Sequence, residues 1–443
     1  MGLEFHGAES VIGEVPNKNY ESDISHALRY TRLLLKPLGV WPMIKKKPKN
    51  RELWLSKILL ALCSISMGFT IIPSSLHMMF REKNPIVRLM LFGPVGFCVT
   101  NLLKYCSIIL RRDSIKFCIE HVKTDWRMVR SDDDRAIMTR NVNSARGLTA
   151  LCGIFMYTGG MSYHMIMPFL SGGKKNQPNQ TARPLVYPGY EIFVDPQSSP
   201  TYEIIFFTHC ICAMVIYNVT TAACNLAATF VAHTCGQMQV TMSRLDALFD
   251  SVEVGNCPIE DRVGFVVKSH VRVLRFTSRV EEVLREICLV EVVASTLIIC
   301  LLEYYCMTVE WSNSETVAII TYFVLLMSLS FNIFIFCHIG EHLKEQCCQF
   351  GNATYMIDWY RLPSRTGLAL VMIIAMANCP RKITAGRMME LSISSFGAVS
   401  MMKLTFHYYY DNNKIGIQNN VYIFFQIIKT SFMYLNMLKT VAI

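Results

Sequence analysis

Three short motifs contain side chains that could do chemistry. The run His338-Ile339-Gly340-Glu341-His342 fits the H-x-x-E-H pattern of inverted zincins, in which both imidazoles bind zinc and the glutamate acts as base. No third ligand in a suitable context accompanies it. Cys210-x-Cys212 and Cys347-Cys348 lack zinc-finger spacing, and neither a glycine-rich phosphate loop nor a serine nucleophile elbow occurs. We therefore expect no catalytic residue, no metal site, no cofactor and no enzymatic activity.

Long apolar runs surround these motifs. Of the 443 residues, 52% are hydrophobic and only 17% are charged, whereas an average soluble domain is about 25% charged. A helix needs about 20 apolar residues to cross a bilayer. Runs of this length predict an all-α membrane protein with seven transmembrane helices. The predicted spans are span 1 at 58–80, span 2 at 86–110, span 3 at 147–170, span 4 at 204–230, span 5 at 287–309, span 6 at 317–340 and span 7 at 421–439.

Charged residues interrupt two of the predicted spans. Arg88 and Lys104 lie in span 2, and Glu291 and Glu303 lie in span 5. An ionisable side chain within a span is a functional candidate by default. Glu303 lies near the predicted outer interface, so it either reaches water there or contacts a ligand or ion, and both alternatives stay open.

The distribution of lysine and arginine predicts the orientation of the chain. With Lys104 and Arg88 counted with the connecting segments next to span 2, alternate segments hold 33 of these residues on one side of the membrane and 6 on the other, and basic residues resist translocation. The N-terminus is therefore expected in the cytosol and, after seven spans, the C-terminus outside the cell. The predicted cytosolic segments are 1–57, 111–146, 231–286 and 341–390, and the predicted extracellular loop is 171–203.

This topology accounts for the net charge of +10, so no nucleic-acid partner is required. Asn179 begins an Asn-Gln-Thr glycosylation sequon in the predicted extracellular loop. Two further sequons, at Asn218 and Asn352, lie in span 4 and in a cytosolic segment, where no glycan could attach. We therefore expect glycosylation at Asn179 alone.

An ordered set of motifs in the last third of the chain resembles insect odorant receptors. The set consists of Gly340-Glu341, the run 353–363 (Ala-Thr-Tyr-Met-Ile-Asp-Trp-Tyr-Arg-Leu-Pro), Met372-Ile373-Ile374, Lys382-Ile383-Thr384-Ala385-Gly386, Met389-Glu390-Leu391-Ser392, Phe396, the run 429–435 (Lys-Thr-Ser-Phe-Met-Tyr-Leu) and Leu438. The related gustatory receptors end in a different Thr-Tyr motif with a downstream glutamine, which is not found here.

The resemblance implies the ligand-binding subunit of an odour-gated cation channel that acts in olfactory signal transduction. Such receptors assemble with a shared co-receptor subunit into a heterotetramer around one pore. The implied location is the plasma membrane of a sensory neuron dendrite, and the other implied partners are volatile small-molecule odorants and the lipid bilayer. Two alternatives stay open: a gustatory-type chemoreceptor channel, and a transporter, although no internal repeat of the transporter kind is seen.

The resemblance also places the odorant site in the outer half of the bundle, among spans 2, 3, 4 and 6. Volatile ligands offer mainly apolar surface, so the site should be a mostly apolar cavity with few polar groups. No motif marks the site, and the candidates are simply outer-half residues. They are Met90 and Phe92 in span 2, Tyr157, Met161, His164 and Met165 in span 3, Phe206, Phe207 and Cys210 in span 4, and Tyr322 and Phe323 in span 6.

Two further regions have an implied role. The segments 231–286 and 341–390 are expected to form a packed cytosolic anchor of helices. Consistent with this, the uncharged run 204–243 would be about 60 Å long as one helix, which is twice the thickness of the membrane core. The last helix should line the pore, and its pore-facing candidates are Lys429, Thr430, Met433, Tyr434 and Met437.

The segment 391–426 departs from the family pattern. In the family, the motif that ends at Phe396 continues almost directly into the motif that begins at Lys429, whereas here about 30 residues intervene. The codons for Val399-Ser400 can form the start of an intron, and those for Phe424-Phe425-Gln426 its pyrimidine-rich end. We therefore interpret 399–426 as a retained intron or a gene-model error.

Overall fold

The structure, a computed structural model, describes residues 17–171, 185–192, 194–249, 258–308 and 316–397. Within these ranges the regular secondary structure is helical apart from one short hairpin. The helices are α1 Tyr20–Ala27, α2 Arg29–Leu35, α3 Trp41–Ile44, α4 Asn50–Leu76, α5 Pro85–Leu110, α6 Arg112–Met128, α7 Asp132–Ser171, α8 Thr201–Asp246, α9 Ile259–Thr308, α10 Thr316–Met356 and α11 Ser364–Ala377. A π-helical turn, His77–Arg81, extends α4, and 3-10 turns are formed by Tyr190–Ile192, Ala247–Phe249 and Trp359–Arg361.

Four helices are much longer than a membrane crossing requires. The helices α7, α8, α9 and α10 contain 40, 46, 50 and 41 residues. At about 1.5 Å per residue, each exceeds the roughly 30 Å of a hydrocarbon core. Each of them is therefore long enough to cross the bilayer and to continue into water on one side.

By length and composition, four helices of the described ranges can span a membrane. These are Asn50–Arg81, Leu91–Leu110, Thr201–Phe249 and Phe323–Met356, which include residues of predicted spans 1, 2, 4 and 6. Predicted span 3 falls within α7, and predicted span 5 falls within α9 as far as Thr308. The ends of both helices before these spans are rich in charged residues. Span 7, with Lys429, Thr430, Met433, Tyr434 and Met437, lies outside the described residues, as do Asn179 and the segment 399–426.

Helix α8 lies at the centre of the bundle. Almost every side chain between Ile216 and Cys235 is buried, and α8 packs against α2, α4, α5, α7, α9 and α10. Small residues such as Ala222, Ala223 and Ala227 allow neighbouring backbones to come close, as in other membrane bundles. A helix that is buried on all sides needs apolar residues on all sides, and this explains the long uncharged run.

A buried ion pair joins α5 to α9. The ammonium group of Lys104 contacts the carboxylate of Glu291, and both side chains are only 1% exposed. Glu291 also accepts hydrogen bonds from Asn332 Nδ2 over 2.6 Å and from the Ser295 hydroxyl over 2.8 Å. Two charges that interrupt predicted spans 2 and 5 are thus partners, so neither faces hydrocarbon alone.

A second, smaller core forms where α8 and α10 end and α9 begins. Leu245 at the end of α8 and Leu248 in the following 3-10 turn pack with residues at the start of α9, the end of α10 and the middle of α11. The hairpin of β1 Thr384–Ala385 and β2 Met389–Glu390 lies beside α9, to which it is joined by a hydrogen bond from Gly386 N to Arg285 O. These elements belong to the predicted cytosolic anchor segments.

Candidate functional site

The loop segment 185–192 folds into one end of the helix bundle, next to the end of α4. Tyr187 and Tyr190 project from this loop into the core, and each is only 2% exposed. The hydroxyl of Ser74 donates a hydrogen bond to the carbonyl oxygen of Pro188 over 3.2 Å. Because a buried tyrosine hydroxyl needs a hydrogen-bond partner, the surroundings of both rings define a polar site inside the bundle.

His164 on α7 lies at the centre of this site. Its Nε2 atom lies 3.0 Å from the Tyr187 hydroxyl, and its Nδ1 atom lies 2.7 Å from the Tyr217 hydroxyl and 3.0 Å from the carbonyl oxygen of Gly160. Cys98 adds a thiol that donates to the Tyr187 hydroxyl over 3.3 Å. A neutral imidazole has its proton on either nitrogen. When Nδ1 has the proton, it donates to the carbonyl oxygen of Gly160. When Nε2 has the proton, Nε2 donates to the Tyr187 hydroxyl and Nδ1 accepts from the Tyr217 hydroxyl.

Close helix packing positions Tyr217 of α8 in the site. A Cβ atom at Gly160 would lie 2.0 Å from the Tyr217 ring, so only glycine leaves room for the ring at this place. The ring also meets Tyr157 edge-on at a centroid distance of 5.8 Å and lies 6.3 Å from the ring of Phe97. Aromatic walls around a few polar groups are typical of small-molecule sites.

A second histidine extends the site along α8. His209 Nε2 lies 2.9 Å from the hydroxyl of Tyr190, which itself donates to the carbonyl oxygen of Phe69 over 2.9 Å. Because the hydroxyl proton is used on Phe69, Nε2 of His209 must be the donor to Tyr190. The Nδ1 atom of His209 is then an acceptor, and it is buried without a hydrogen-bond partner among the described residues. We call His164, Tyr187, Tyr190, His209 and Tyr217 the outer polar cluster, because they lie in the predicted outer half of the bundle.

Some of the predicted site residues belong to this cluster or lie on the two helices that contribute to it. His164 is a member, Tyr157 contacts Tyr217, and Met161 packs half-buried against the main core. Phe206 and Cys210 are half-buried on α8, on the helix that also holds His209. These five predictions fall on the two helices that build the cluster.

Other predicted residues lie elsewhere. Met165, Phe207 and Phe323 are 50%, 66% and 61% exposed on the outer surface of the bundle. Phe92 on α5 is half-buried. The side chains of Met90 and Tyr322 lie outside the described part of the chain.

Four members of the outer polar cluster were missed by the sequence analysis. His209 could have been found, because an ionisable residue in an uncharged run is a functional candidate. Tyr190 follows Pro188-Gly189 in the predicted extracellular loop, but no local sequence pattern indicates that this loop packs into the bundle. Tyr217 is one apolar ring among many in span 4. Its role depends on the glycine that faces it from another helix.

The H-x-x-E-H motif forms no comparable site. The rings of His338 and His342 lie nearly parallel with centroids 6.5 Å apart. The Glu341 carboxylate accepts a hydrogen bond from the backbone nitrogen of Ile393 over 3.1 Å and pairs with Lys344 at 3.7 Å. Glu341 thus binds the backbone of the segment that follows the hairpin.

Residues 84–406, which are more than half of the chain, match the family model described as 7tm Odorant receptor. Among curated proteins, Odorant receptor 10 of Aedes albopictus is 23% identical over 228 residues, covering 49% of this chain and 56% of that protein. Odorant receptor 13a of Drosophila melanogaster is 22% identical over 203 residues, covering 42% of this chain and 48% of that protein. The chain thus spans about half the length of these two relatives.

A longer match is found with Odorant receptor Or2 of Anopheles gambiae, which is 20% identical over 306 residues, covering 67% of this chain and 76% of that protein. Among solved structures, the insect olfactory receptor OR5 from Machilis hrabei in complex with eugenol matches with a TM-score of 0.71 at 15% identity. This match covers 87% of this chain and 97% of that one. At such low identity the likeness shows the fold alone, and it confirms the predicted all-α, seven-transmembrane fold class.

Proposed function

Because the chain belongs to the family described as 7tm Odorant receptor, we propose that it is the odorant-binding subunit of an odour-gated cation channel. The channel is assembled with a shared co-receptor subunit in the plasma membrane of a sensory neuron dendrite. Family membership identifies the chain as a membrane receptor and not as an enzyme, and the family match over residues 84–406 is the observation that carries the proposal. OR5, which has the same fold, was solved in complex with eugenol.

The proposed odorant site is the region around the outer polar cluster. Its support is the combination of aromatic walls with a small number of hydrogen-bonding groups, which suits ligands that are mostly apolar. The buried Nδ1 atom of His209 supplies an acceptor that the described protein groups leave free. An odorant with one hydroxyl group and an apolar body would complement this surface. Phe206 and Cys210, on the same helix, are proposed to contribute to the walls.

The remaining assignments extend this proposal to the whole chain. We propose that the seven predicted spans are the membrane crossings, with the anchor segments in the cytosol. The last helix is proposed to line the pore with Lys429, Thr430, Met433, Tyr434 and Met437. An odorant that binds in the outer half must then act on the pore through α10 and the segment that follows the hairpin.

Expression in cultured cells tests the proposed function. The chain is expressed alone, with a co-receptor, and with a co-receptor after deletion of residues 399–426. The proposal expects odour-evoked cation current only when the co-receptor is present. If the deleted chain conducts and the full chain does not, the segment interrupts the pore helix, as a retained intron would. Surface delivery without current in either co-expression would contradict the channel proposal.

A further inference from the structure

A histidine, an aspartate and a second histidine converge in the predicted cytosolic part of the bundle, away from the outer polar cluster. His121 and Asp125 stand one turn apart on α6, and His233 faces them from α8. Asp125 Oδ2 lies 2.9 Å from His233 Nε2 and 3.0 Å from His121 Nδ1. The ligand atoms of all three residues lie within 4.8 Å of one another. One small cation could therefore contact all of them.

The orientation of His121 is the second observation. Its Nδ1 atom is buried and lies close to the carboxylate, but this contact does not have hydrogen-bond geometry, and no other described residue is a hydrogen-bond partner of the atom. A hydrogen bond thus accounts for the approach of His233 but not for that of His121. A metal ion bound between the nitrogen lone pair and the carboxylate oxygen would account for both.

The surroundings hold these donors in place. The ring of Phe276 stacks on His121 at a centroid distance of 4.5 Å and meets His233 edge-on at 5.4 Å. Asp125 and His233 are only 7% and 2% exposed, whereas 15% of the His121 side chain is exposed. The buried donors are preorganised by packing, and the partly exposed one leaves a path for an ion to enter.

We propose that His121, Asp125 and His233 form a zinc site that joins α6 to α8. Two imidazoles and one carboxylate are a donor set that Zn²⁺ takes in proteins, while Ca²⁺ and Mg²⁺ prefer oxygen ligands alone. Each ligand atom lies about 2.0–2.2 Å from a bound zinc ion, so neighbouring ligand atoms are about 3–4 Å apart. The two measured separations, 2.9 and 3.0 Å, lie at the short end of this range, so a bound ion would move the donors slightly apart. A fourth position is left for water on the exposed side of His121.

Arg272 provides the sharpest way to test the site. Its guanidinium group, from α9, donates a hydrogen bond to Asp125 Oδ1, and its side chain is 51% exposed. It leaves Oδ2 free for the metal but places a positive charge beside it. Arg272→Gln keeps a hydrogen-bond donor and removes that charge. The variant should therefore bind zinc several-fold more tightly than the natural sequence, a gain that misfolding cannot produce.

The experiment measures zinc binding to the full chain, purified in detergent with an affinity tag that contains no histidine. After equilibrium dialysis against ZnCl₂, bound zinc is counted by mass spectrometry. One zinc ion per chain is expected. His121→Gln and Asp125→Asn should each weaken binding by at least about 100-fold, since even changes outside the ligand set cost about 10–100-fold. The matched control is the double variant His338→Gln/His342→Gln, which removes the other histidine pair and should still bind one ion.

Thermal unfolding gives a second measurement that does not depend on counting ions. Zinc should raise the melting temperature of the natural chain and of the control, but not that of His121→Gln. Equal zinc binding by the natural chain and His121→Gln would overturn the proposal. Loss of zinc in the control, or weaker binding by Arg272→Gln, would overturn it as well.

Discussion

At the scale of single residues, the outer polar cluster explains why one histidine is the most informative position to change. His164 contacts Tyr187 from the loop and Tyr217 from α8, so one side chain joins three parts of the bundle. Its neighbour Met165 is 50% exposed, whereas His164 is buried. The two residues thus provide a matched pair on one helix.

We predict that His164→Ala changes odour sensitivity by about tenfold or more in co-expressing cells, while surface delivery persists. The reason is that both tyrosine hydroxyls lose a buried partner, which costs about 1–3 kcal/mol each when uncompensated. Dose–response curves of odour-evoked current measure the effect. Met165→Ala should leave these curves unchanged. Superimposable curves for His164→Ala and the natural chain would remove His164 from the site.

The buried pair of Lys104 and Glu291 gives a second prediction. Lys104→Met leaves the Glu291 carboxylate buried without its countercharge, and removal of one partner of a buried pair costs about 3–5 kcal/mol. We expect a lower melting temperature in detergent and reduced surface delivery. The double variant Lys104→Met/Glu291→Gln should recover most of the loss, because the amide still accepts from Asn332. If the double variant is no more stable than Lys104→Met, the ion pair is not the cause.

The burial of His270 on α9, in the predicted cytosolic anchor, predicts that the stability of the folded chain depends on pH. Burial lowers the pKa of His270 to about 4, and its ring stacks on Phe350 at 4.4 Å. Between pH 4 and about 6.5 the unfolded chain binds a proton at this position that the folded chain does not. Stability should therefore fall as the pH is lowered through that range. Melting temperatures at pH 7.5 and 5.5 should differ more for the natural chain than for His270→Gln, and equal differences would contradict the assignment.

At the scale of secondary-structure elements, the segment after the hairpin is attached closely to α10. A Cβ atom at Gly340 would lie 2.2 Å from the carbonyl oxygen of Leu391. The Ile393 backbone nitrogen donates to Glu341, and the rings of Phe334 and Phe396 meet at 5.4 Å. The segment that leads to the proposed pore helix is thus attached directly to predicted span 6.

Gly340→Ala should weaken this attachment by overpacking, at a cost of about 1–3 kcal/mol. We expect a smaller maximal odour-evoked current with little change in the odorant concentration for half-maximal response. Gly397→Ala is the control, because a Cβ atom there meets nothing within 4 Å. A current from Gly340→Ala that equals that of the control would show that the contact does not transmit the signal.

At the scale of the whole molecule, the orientation in the membrane is the property on which the function depends. An odorant site that faces the medium and an anchor in the cytosol require the N-terminus inside. The chain provides two sequons on opposite sides of the predicted membrane, at Asn179 and at Asn352. Asn352 lies on α10, in a predicted cytosolic segment.

Treatment with a glycosidase should therefore shift the electrophoretic mobility of the natural chain. Asn179→Gln should abolish the shift, because that asparagine is the predicted acceptor on the outer side. Asn352→Gln should have no effect. A shift that is lost in Asn352→Gln and kept in Asn179→Gln would mean that the chain has the opposite orientation.

Much of this architecture could be inferred from composition and order along the chain. Apolar runs must be as long as the bilayer is thick, so the fold class follows from counting. The motifs between Gly340 and Phe396 identified the family, which the match over residues 84–406 confirms. Six of the predicted spans lie on helices of the structure. These features are local or compositional, and this is why they can be recognised without coordinates.

The candidate sites could not be inferred in the same way, because their members come from distant parts of the chain. In the sequence, Lys104 and Glu291 are separate interruptions of predicted spans 2 and 5. Only the packing of α5 against α9 makes them partners. Tyr187 belongs to the outer polar cluster because its loop packs into the bundle. His121 and His233 are 112 residues apart in the sequence and come together because their two helices pack against each other. Hydropathy records whether a residue avoids water, but not which residue it meets. That choice follows from how the helices pack, where glycine and alanine let backbones approach and polar groups find partners away from water.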